Sequence, residues 1–257
     1  MALAPKTSDY IAEVMSAAHD SPGNVPATRY LILSTPRTGS KLLCRTLRNT
    51  DHAGYPAEYL NPLFIDAYRE RESAPKRIIL QEYIQFLEQR RTSANGLFGL
   101  NCHFDQISGH LKRRERQVSL LQKFDKIIVM NRRSKLYQSI SFLKALDSDI
   151  WLVADDQMPE YEPEVLSFTP ERISLQINTF IEHEAQIKSL MSEVDVPSLY
   201  IDYEEIDQDY PTVWRNVSEF LGLPKIELET VYPSMKRMRD ATTDRLAEDY
   251  IRYLRGD

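Results

Sequence analysis

The sequence predicts an α/β fold: a three-layer sandwich with a central, mostly parallel sheet flanked by helices. Three features point to it. Short apolar runs of the kind buried inside parallel sheets recur at residues 29–34, 96–102, 126–130 and 198–202. Stretches with helical spacing of apolar residues lie between them, at residues 77–89, 111–123, 135–145 and 170–194. The first run, Arg29-Tyr-Leu-Ile-Leu-Ser34, also ends in a tight turn, Pro36-Arg-Thr-Gly-Ser40, that opens straight into a helix at residues 41–48, the first half of a βαβ unit. In sheets wound this way ligands sit at the carboxyl ends of the strands, so residues that carry chemistry are to be sought just after each one.

The 257 residues suffice for one large domain, placed at residues 29–257, preceded by an N-terminal helical extension at residues 1–28. In that extension residues 8–19 have helical spacing with Ser8 as a candidate N-cap, and a stretch rich in Pro and Gly at residues 21–28 breaks the chain before the first strand. The net charge of −6 argues against a protein that coats nucleic acid or an anionic membrane, so any bound anion must be held locally. The basic stretch His110-Leu-Lys-Arg-Arg-Glu-Arg116 lacks interleaved aromatics and reads as a solvated helix face. Cys44 and Cys102 lie in apolar stretches and read as small buried hydrophobes. Residues 1–26 are polar, without the apolar core of a secretion signal, and no apolar run approaches the ~20 residues that span a bilayer; the expected location is cytoplasmic.

The turn after the first strand is an anion cradle on physical grounds. A strand, a short loop with Gly39 and a helix point several backbone N–H groups at one spot, where the helix dipole favours negative charge. Arg37 and Lys41 add cations, Thr38 and Ser40 add hydroxyl donors, and Leu42 completes the first turn. The nucleotide-kinase loop G-x-x-x-x-G-K-[ST] needs a hydroxyl after its lysine to hold Mg²⁺; here Leu42 follows Lys41, which weakens a kinase reading. A second constellation, Asn131-Arg-Arg-Ser-Lys-Leu-Tyr-Gln-Ser-Ile-Ser-Phe142, closes a strand with arginines and carries a hydroxyl about two helical turns later, a pattern able to bracket another phosphate.

Taken in order, Tyr30 to Leu47 (with Ser34-Thr-Pro-Arg-Thr-Gly-Ser-Lys-Leu-Leu43), Gly54 to Leu60 (with Gly54-Tyr-Pro-Ala-Glu58), Asn131 to Phe142 and Tyr203 to Pro224, together with Asn95 to Gln106 and the basic tail, resemble the Stf0 family of bacterial carbohydrate sulfotransferases. The resemblance implies a P-loop-like fold and a single domain that transfers a sulfuryl group from PAPS (3′-phosphoadenosine 5′-phosphosulfate), leaving PAP, to a hydroxyl of a carbohydrate or glycolipid by in-line displacement. It implies no metal and a homodimer. It also assigns roles. Arg37, Thr38, Gly39, Ser40, Lys41 and Leu42 would form the 5′-phosphosulfate loop, with Arg37 stabilising the leaving phosphate. Arg132 with Ser141 would hold the 3′-phosphate; Arg133 matches the arginine-to-serine spacing of the cytosolic sulfotransferases and is the alternative. Arg237 or Arg239 in Lys236-Arg-Met-Arg-Asp240 would reach the same phosphate. Glu58 matches the family's general base, and His103 is the rival, since Gly99-Leu-Asn-Cys-His-Phe104 stands where cytosolic sulfotransferases carry theirs.

Three positions depart from the family's trehalose-acting pattern, which has a glutamate at Tyr55, a lysine at Asn101 and a threonine at Lys41. Tyr55 and Asn101 are therefore expected, with Glu58 and His103, to shape an acceptor pocket that differs from one for trehalose. Asp202 and the Phe220-Leu-Gly-Leu-Pro224 stop read as scaffold, with Gly222 as a C-cap. A kinase using the same cradle for ATP, and a non-catalytic nucleotide-binding protein, are the alternative functions.

Overall fold

Strands β1 (Thr28–Ser34), β2 (Leu97–His103), β3 (Lys126–Asn131) and β4 (Ser198–Asp202) form one sheet in the order β2-β1-β3-β4, and every adjacent pair is parallel. This is a computed structural model, and it describes residues 7–151, 168–233 and 240–256. Because β1 leads outward to β2 on one side and β3 to β4 on the other, the winding reverses between β1 and β3. The crevice beyond their carboxyl ends is where such a sheet binds ligands. Register brings the ends together: Ser34 lies beside His103 and Met130, and Asn131 beside Asp202.

Alternation along the strands divides the core into two layers. Leu31, Leu33, Phe98, Leu100, Cys102, Ile127 and Val129 face one cluster, which takes in helices α1 (Thr7–Met15), α3 (Pro62–Glu72), α4 (Leu80–Arg91), α5 (Phe104–His110), α6 (Arg114–Leu121) and α8 (Pro170–Met191). Tyr30, Ile32, Ile128 and Met130 face the other, with α2 (Ser40–Arg48) and α9 (Tyr203–Leu221). A third cluster joins α7 (Lys135–Ser148), α8 and α11 (Ala241–Arg255), and a short α10 (Leu228–Val231) lies between α9 and α11. Both thiols, Cys44 and Cys102, are free and buried.

The sequence pattern located all four strands and the helix that ends at Gly222, and it missed the short helix that starts directly from β2. α5 follows β2 directly, capped by His103 and Gln106; α9 follows β4 directly, capped by Asp202 and Glu205. α9 breaks at Asp209 (φ −150°), whose carboxylate accepts from the Thr212 N–H at 3.2 Å, and the break accommodates Pro211. Gly222 ends α9 with φ 76°, as a C-cap requires. α3 starts at an Asn61 cap with Pro62 in its first turn. α1 is shorter than its periodicity suggests: it ends at Met15, and a 3₁₀ turn at Ala17–His19 follows. Its Ile11, Val14 and Met15 are buried in the first cluster, so the N-terminal helix shares the main core.

α11 is fixed by a buried pair. The Lys144 ammonium, 2% exposed, donates to both Asp240 oxygens at 2.8 Å, and Asp240 also caps α11 through the Thr243 N–H. Lys144→Met should lower the unfolding free energy measured in urea by roughly 2–3 kcal/mol, toward the low end for a broken buried pair because Asp240 keeps some solvent. A loss below about 0.5 kcal/mol would mean that the pair behaves as a surface contact.

Candidate active site

The turn between β1 and α2 is wound tightly and tied down. Arg37 (φ 67°) and Gly39 (φ 85°) take left-handed conformations, and a Cβ on Gly39 would lie 3.0 Å from Ile206 and 3.4 Å from Tyr203. Gln138 donates to Thr35 Oγ1 at 2.8 Å and to the Pro36 carbonyl at 2.7 Å, and Arg132 donates to the Arg37 carbonyl at 3.1 Å. With glycine as its cap, α2 begins with no side chain over its first amides, and those of Ser40, Lys41 and Leu42 have no acceptor within the helix. They open toward a cavity of about 580 Å³, lined from the loop by Pro36, Arg37, Gly39, Ser40, Lys41 and Leu42.

A further cation, Arg132, joins Arg37 at this end of the cavity. Arg132 lines it, is 9% exposed and stacks on the Tyr203 ring at 4.2 Å. Ser141 lines it too and accepts from Arg37 Nε at 3.0 Å, while Arg37 Nη1 donates to the Trp151 carbonyl at 3.0 Å. A helix N-terminus with guanidinium groups on either side is a site for a multiply charged anion.

The carboxylate comes from the segment before α3. Gly54 (φ 71°) passes so close to β2 and the end of α4 that a Cβ would meet the Leu97 and Arg91 carbonyls at 2.7 and 2.9 Å. Tyr30, lying over the bare Cα of Gly99, donates to the Ala53 carbonyl at 2.7 Å, and the Asn101 N–H donates to the Ala57 carbonyl at 3.0 Å. These ties deliver Glu58, 7% exposed, to the cavity wall. Its Oε2 receives Gln106 at 3.4 Å and lies 3.5 Å from His103 Nε2; its Oε1 faces the Lys41 ammonium at 3.6 Å and has no hydrogen bond. Burial alone would raise this carboxyl, but Lys41, His103 and the hydrogen bonds from His103 and Gln106 outweigh it and hold the group well below the usual carboxylate range. His103 is fixed by Ser34, whose Oγ is 3.0 Å from Nδ1. The two base candidates are therefore neighbours in one cluster.

Four expected site residues sit elsewhere. The Thr38 hydroxyl is wholly buried and donates to the Thr35 carbonyl at 3.1 Å, which makes it part of the turn. Arg133 turns outward onto Asp202, at 2.6 Å, because Asp202 and Glu204 at the β4–α9 junction draw its side chain and backbone away from the cavity. Tyr55 stacks on His19 at 4.4 Å beneath Arg48 and does not line the cavity. Asn101 is buried in β2, 1% exposed, with its side-chain amide unpaired among the described residues, and it does not line the cavity either. Arg237 and Arg239 lie outside the described residues. The site also uses residues that the sequence reading gave no role: Tyr10 from α1 and Trp151, which lie outside the motifs, and Gln106 from α5 and Gln138 from α7. From the segment after Glu58, Asn61, Leu63 and Phe64 reach the wall.

Among the described residues no group of three or more His, Cys, Asp or Glu is placed to hold a metal ion, and no helix is long and apolar enough to cross a membrane.

A parallel sheet whose winding reverses over a cation-lined helix N-terminus, with a buried carboxylate across the cavity, is the frame of an enzyme that moves an anionic group. The model of the Stf0 sulphotransferase family matches residues 29–253, and the chain belongs to that family. Trehalose 2-sulfotransferase of Mycolicibacterium smegmatis is 24% identical over 274 residues, covering 90% of this chain and 97% of that protein. The sulfotransferase domain of the Synechococcus PCC 7002 olefin synthase shares the fold, with a TM-score of 0.51 at 17% identity over 90% of this chain and 97% of that domain. The protein is accordingly a sulfotransferase.

The depressed Glu58 carboxyl makes a pH prediction. Its contribution to stability is present above the unfolded carboxylate pKa near 4.3 and is lost as pH falls toward its lower folded value. The stability gap between wild type and Glu58→Gln, read from urea melts, should therefore shift against wild type between pH 6 and pH 3. A gap that stays constant with pH would show that Glu58 titrates alike in the folded and unfolded chain.

Proposed function

We propose that the protein transfers a sulfuryl group from PAPS to a hydroxyl of a carbohydrate or glycolipid acceptor. The observation that carries this is the buried Glu58 carboxylate, whose Oε1 has no hydrogen bond and only the Lys41 ammonium at 3.6 Å, on the wall of the same cavity that the start of α2 lines. PAPS, as donor substrate, supplies sulfur to the acceptor oxygen: the O–S bond forms as the bridging S–O bond breaks, and that electron pair leaves on the phosphate of PAP. The chain's own residues do the rest. The Ser40–Leu42 amides with Arg37 hold the 5′ end and offset charge growing on the leaving phosphate. Arg132, backed by Tyr203, holds the 3′-phosphate with Ser141, and the pairing of Arg133 to Asp202 favours Arg132 over its neighbour for this role. Glu58 takes the acceptor proton on Oε1, while His103 and Gln106 orient the carboxylate through Oε2.

Tyr10, Phe64 and Trp151 give the cavity aromatic walls, and Asn61 and Asp105 give it polar groups, a mixture suited to a ring that stacks on one face and bonds through its hydroxyls. Since Tyr55 and Asn101 are off the wall, their departure from the trehalose-acting pattern does not by itself redraw the pocket.

Calorimetric titration with PAP and with ADP tests the reading. PAP should bind at least tenfold tighter, a difference of about 1.4 kcal/mol; Arg132→Ala should abolish the preference and Arg133→Ala should leave it. Equal binding of ADP, or binding of ADP only with Mg²⁺, would replace this reading with a kinase.

A further inference from the structure

The arrangement around Glu58 poses a chemical problem. A carboxylate surrounded by donors and a cation is a weak base, and the one Glu58 oxygen without a hydrogen bond, Oε1, is buried beside the Lys41 ammonium. One partner must be removable. Gln106 and His103 are not: together they cap α5, and His103 is also held by Ser34. The other titratable groups near enough to feel the Glu58 charge are the Tyr10 phenol from α1 and the thiols Cys44 from α2 and Cys102 from β2. Burial pushes Tyr10 and Cys44 up to about 12 and raises Cys102 as well, so all three are neutral. Lys41 alone brings a fixed positive charge on a flexible stem. It makes no hydrogen bond among the described residues, meets Glu58 at 3.6 Å, and has the rings of Tyr10 and Trp151 at 5.7 and 5.5 Å. It also springs from the first turn of α2, so the anion place and Glu58 are both within its reach.

We infer that Lys41 couples the two halves of the site: with the donor place empty it is the counter-ion of Glu58, and a sulfonate arriving at the start of α2 draws it away and releases the carboxylate to act as base. The inference rests on PAPS as donor and Glu58 as base. Its consequence is an order of events. The acceptor hydroxyl meets an active base only after the donor is seated, and a carboxylate freed of its cation regains affinity for protons.

Proton uptake on ligand binding reads this directly. PAPS, without acceptor, is titrated into wild type, Glu58→Gln, Lys41→Met and Lys41→Arg by calorimetry at pH 4.8, in two buffers of different ionisation enthalpy. Glu58→Gln subtracts protons taken by the nucleotide itself. Wild type should take up at least about 0.2 proton per PAPS more than Glu58→Gln, the protonated fraction of a carboxyl returned to its ordinary pKa. Lys41→Met, whose Glu58 is already released, should show no such excess beyond Glu58→Gln, while Lys41→Arg should keep it. Equal uptake in wild type and Glu58→Gln, or undiminished uptake in Lys41→Met, overturns the coupling. PAPS binding no tighter than ADP in wild type overturns the donor assignment instead, so the two failures are distinguishable.

Discussion

The left-handed glycine at the end of the β1–α2 turn sets the geometry of the whole site. Because Gly39 carries no side chain and takes φ 85°, α2 can start hard against Ile206 and Tyr203 with its first amides bare. Those amides form a positive pole that costs nothing to reorganise when an anion arrives. Arg132, Ser141, Gln138 and Tyr203 are arranged about that pole, and each reaches it from the end of a neighbouring strand or the first turns of the helix that follows. The parallel sheet makes this convergence unavoidable, since all its strands deliver their next segment to the same edge.

The second half of the site is built by close approach. Gly54 against two carbonyls and Gly99 beneath Tyr30 leave no room for a side chain, and the segment they seat ends at Glu58. Burying a carboxylate without compensation would be costly, and here the compensation is local: two fixed donors on one oxygen and a cation near the other. The asymmetry matters chemically. The anchored oxygen fixes orientation, and the other, buried and without a hydrogen bond, is met only by the Lys41 ammonium at 3.6 Å.

Much of this was legible in the sequence, for identifiable reasons. Apolar runs gave the strands because buried parallel strands are apolar on both faces, and the P-R-T-G-S turn gave the anion site because its chemistry is local. What the chain could not show was direction. Arg132 and Arg133 are adjacent and chemically alike; they part only because Asp202 and Glu204, some 70 positions away in sequence, capture one of them. Tyr55 and Glu58 share a motif, but His19 and Arg48 claim the tyrosine ring. Tyr10 was missed for the opposite reason: its helix reads as ordinary amphipathic spacing, and its role depends on meeting α3 and Lys41 across the fold.

The distribution of these residues along the chain bears on what the family match conveys. The match begins at residue 29, so it includes the α2 turn, Arg132, Ser141 and Glu58, the parts assigned here to donor and base. α1 precedes it, yet Thr7, Tyr10 and Ile11 line the cavity, and α1 is bound to the body of the protein through the same core that carries the sheet. On the proposed reading, the donor loop and the base lie within the matched residues, and α1 adds Thr7, Tyr10 and Ile11 to the cavity wall from before the first of them. A wall built partly by α1 ties the shape of the acceptor place to residues that the family match does not cover.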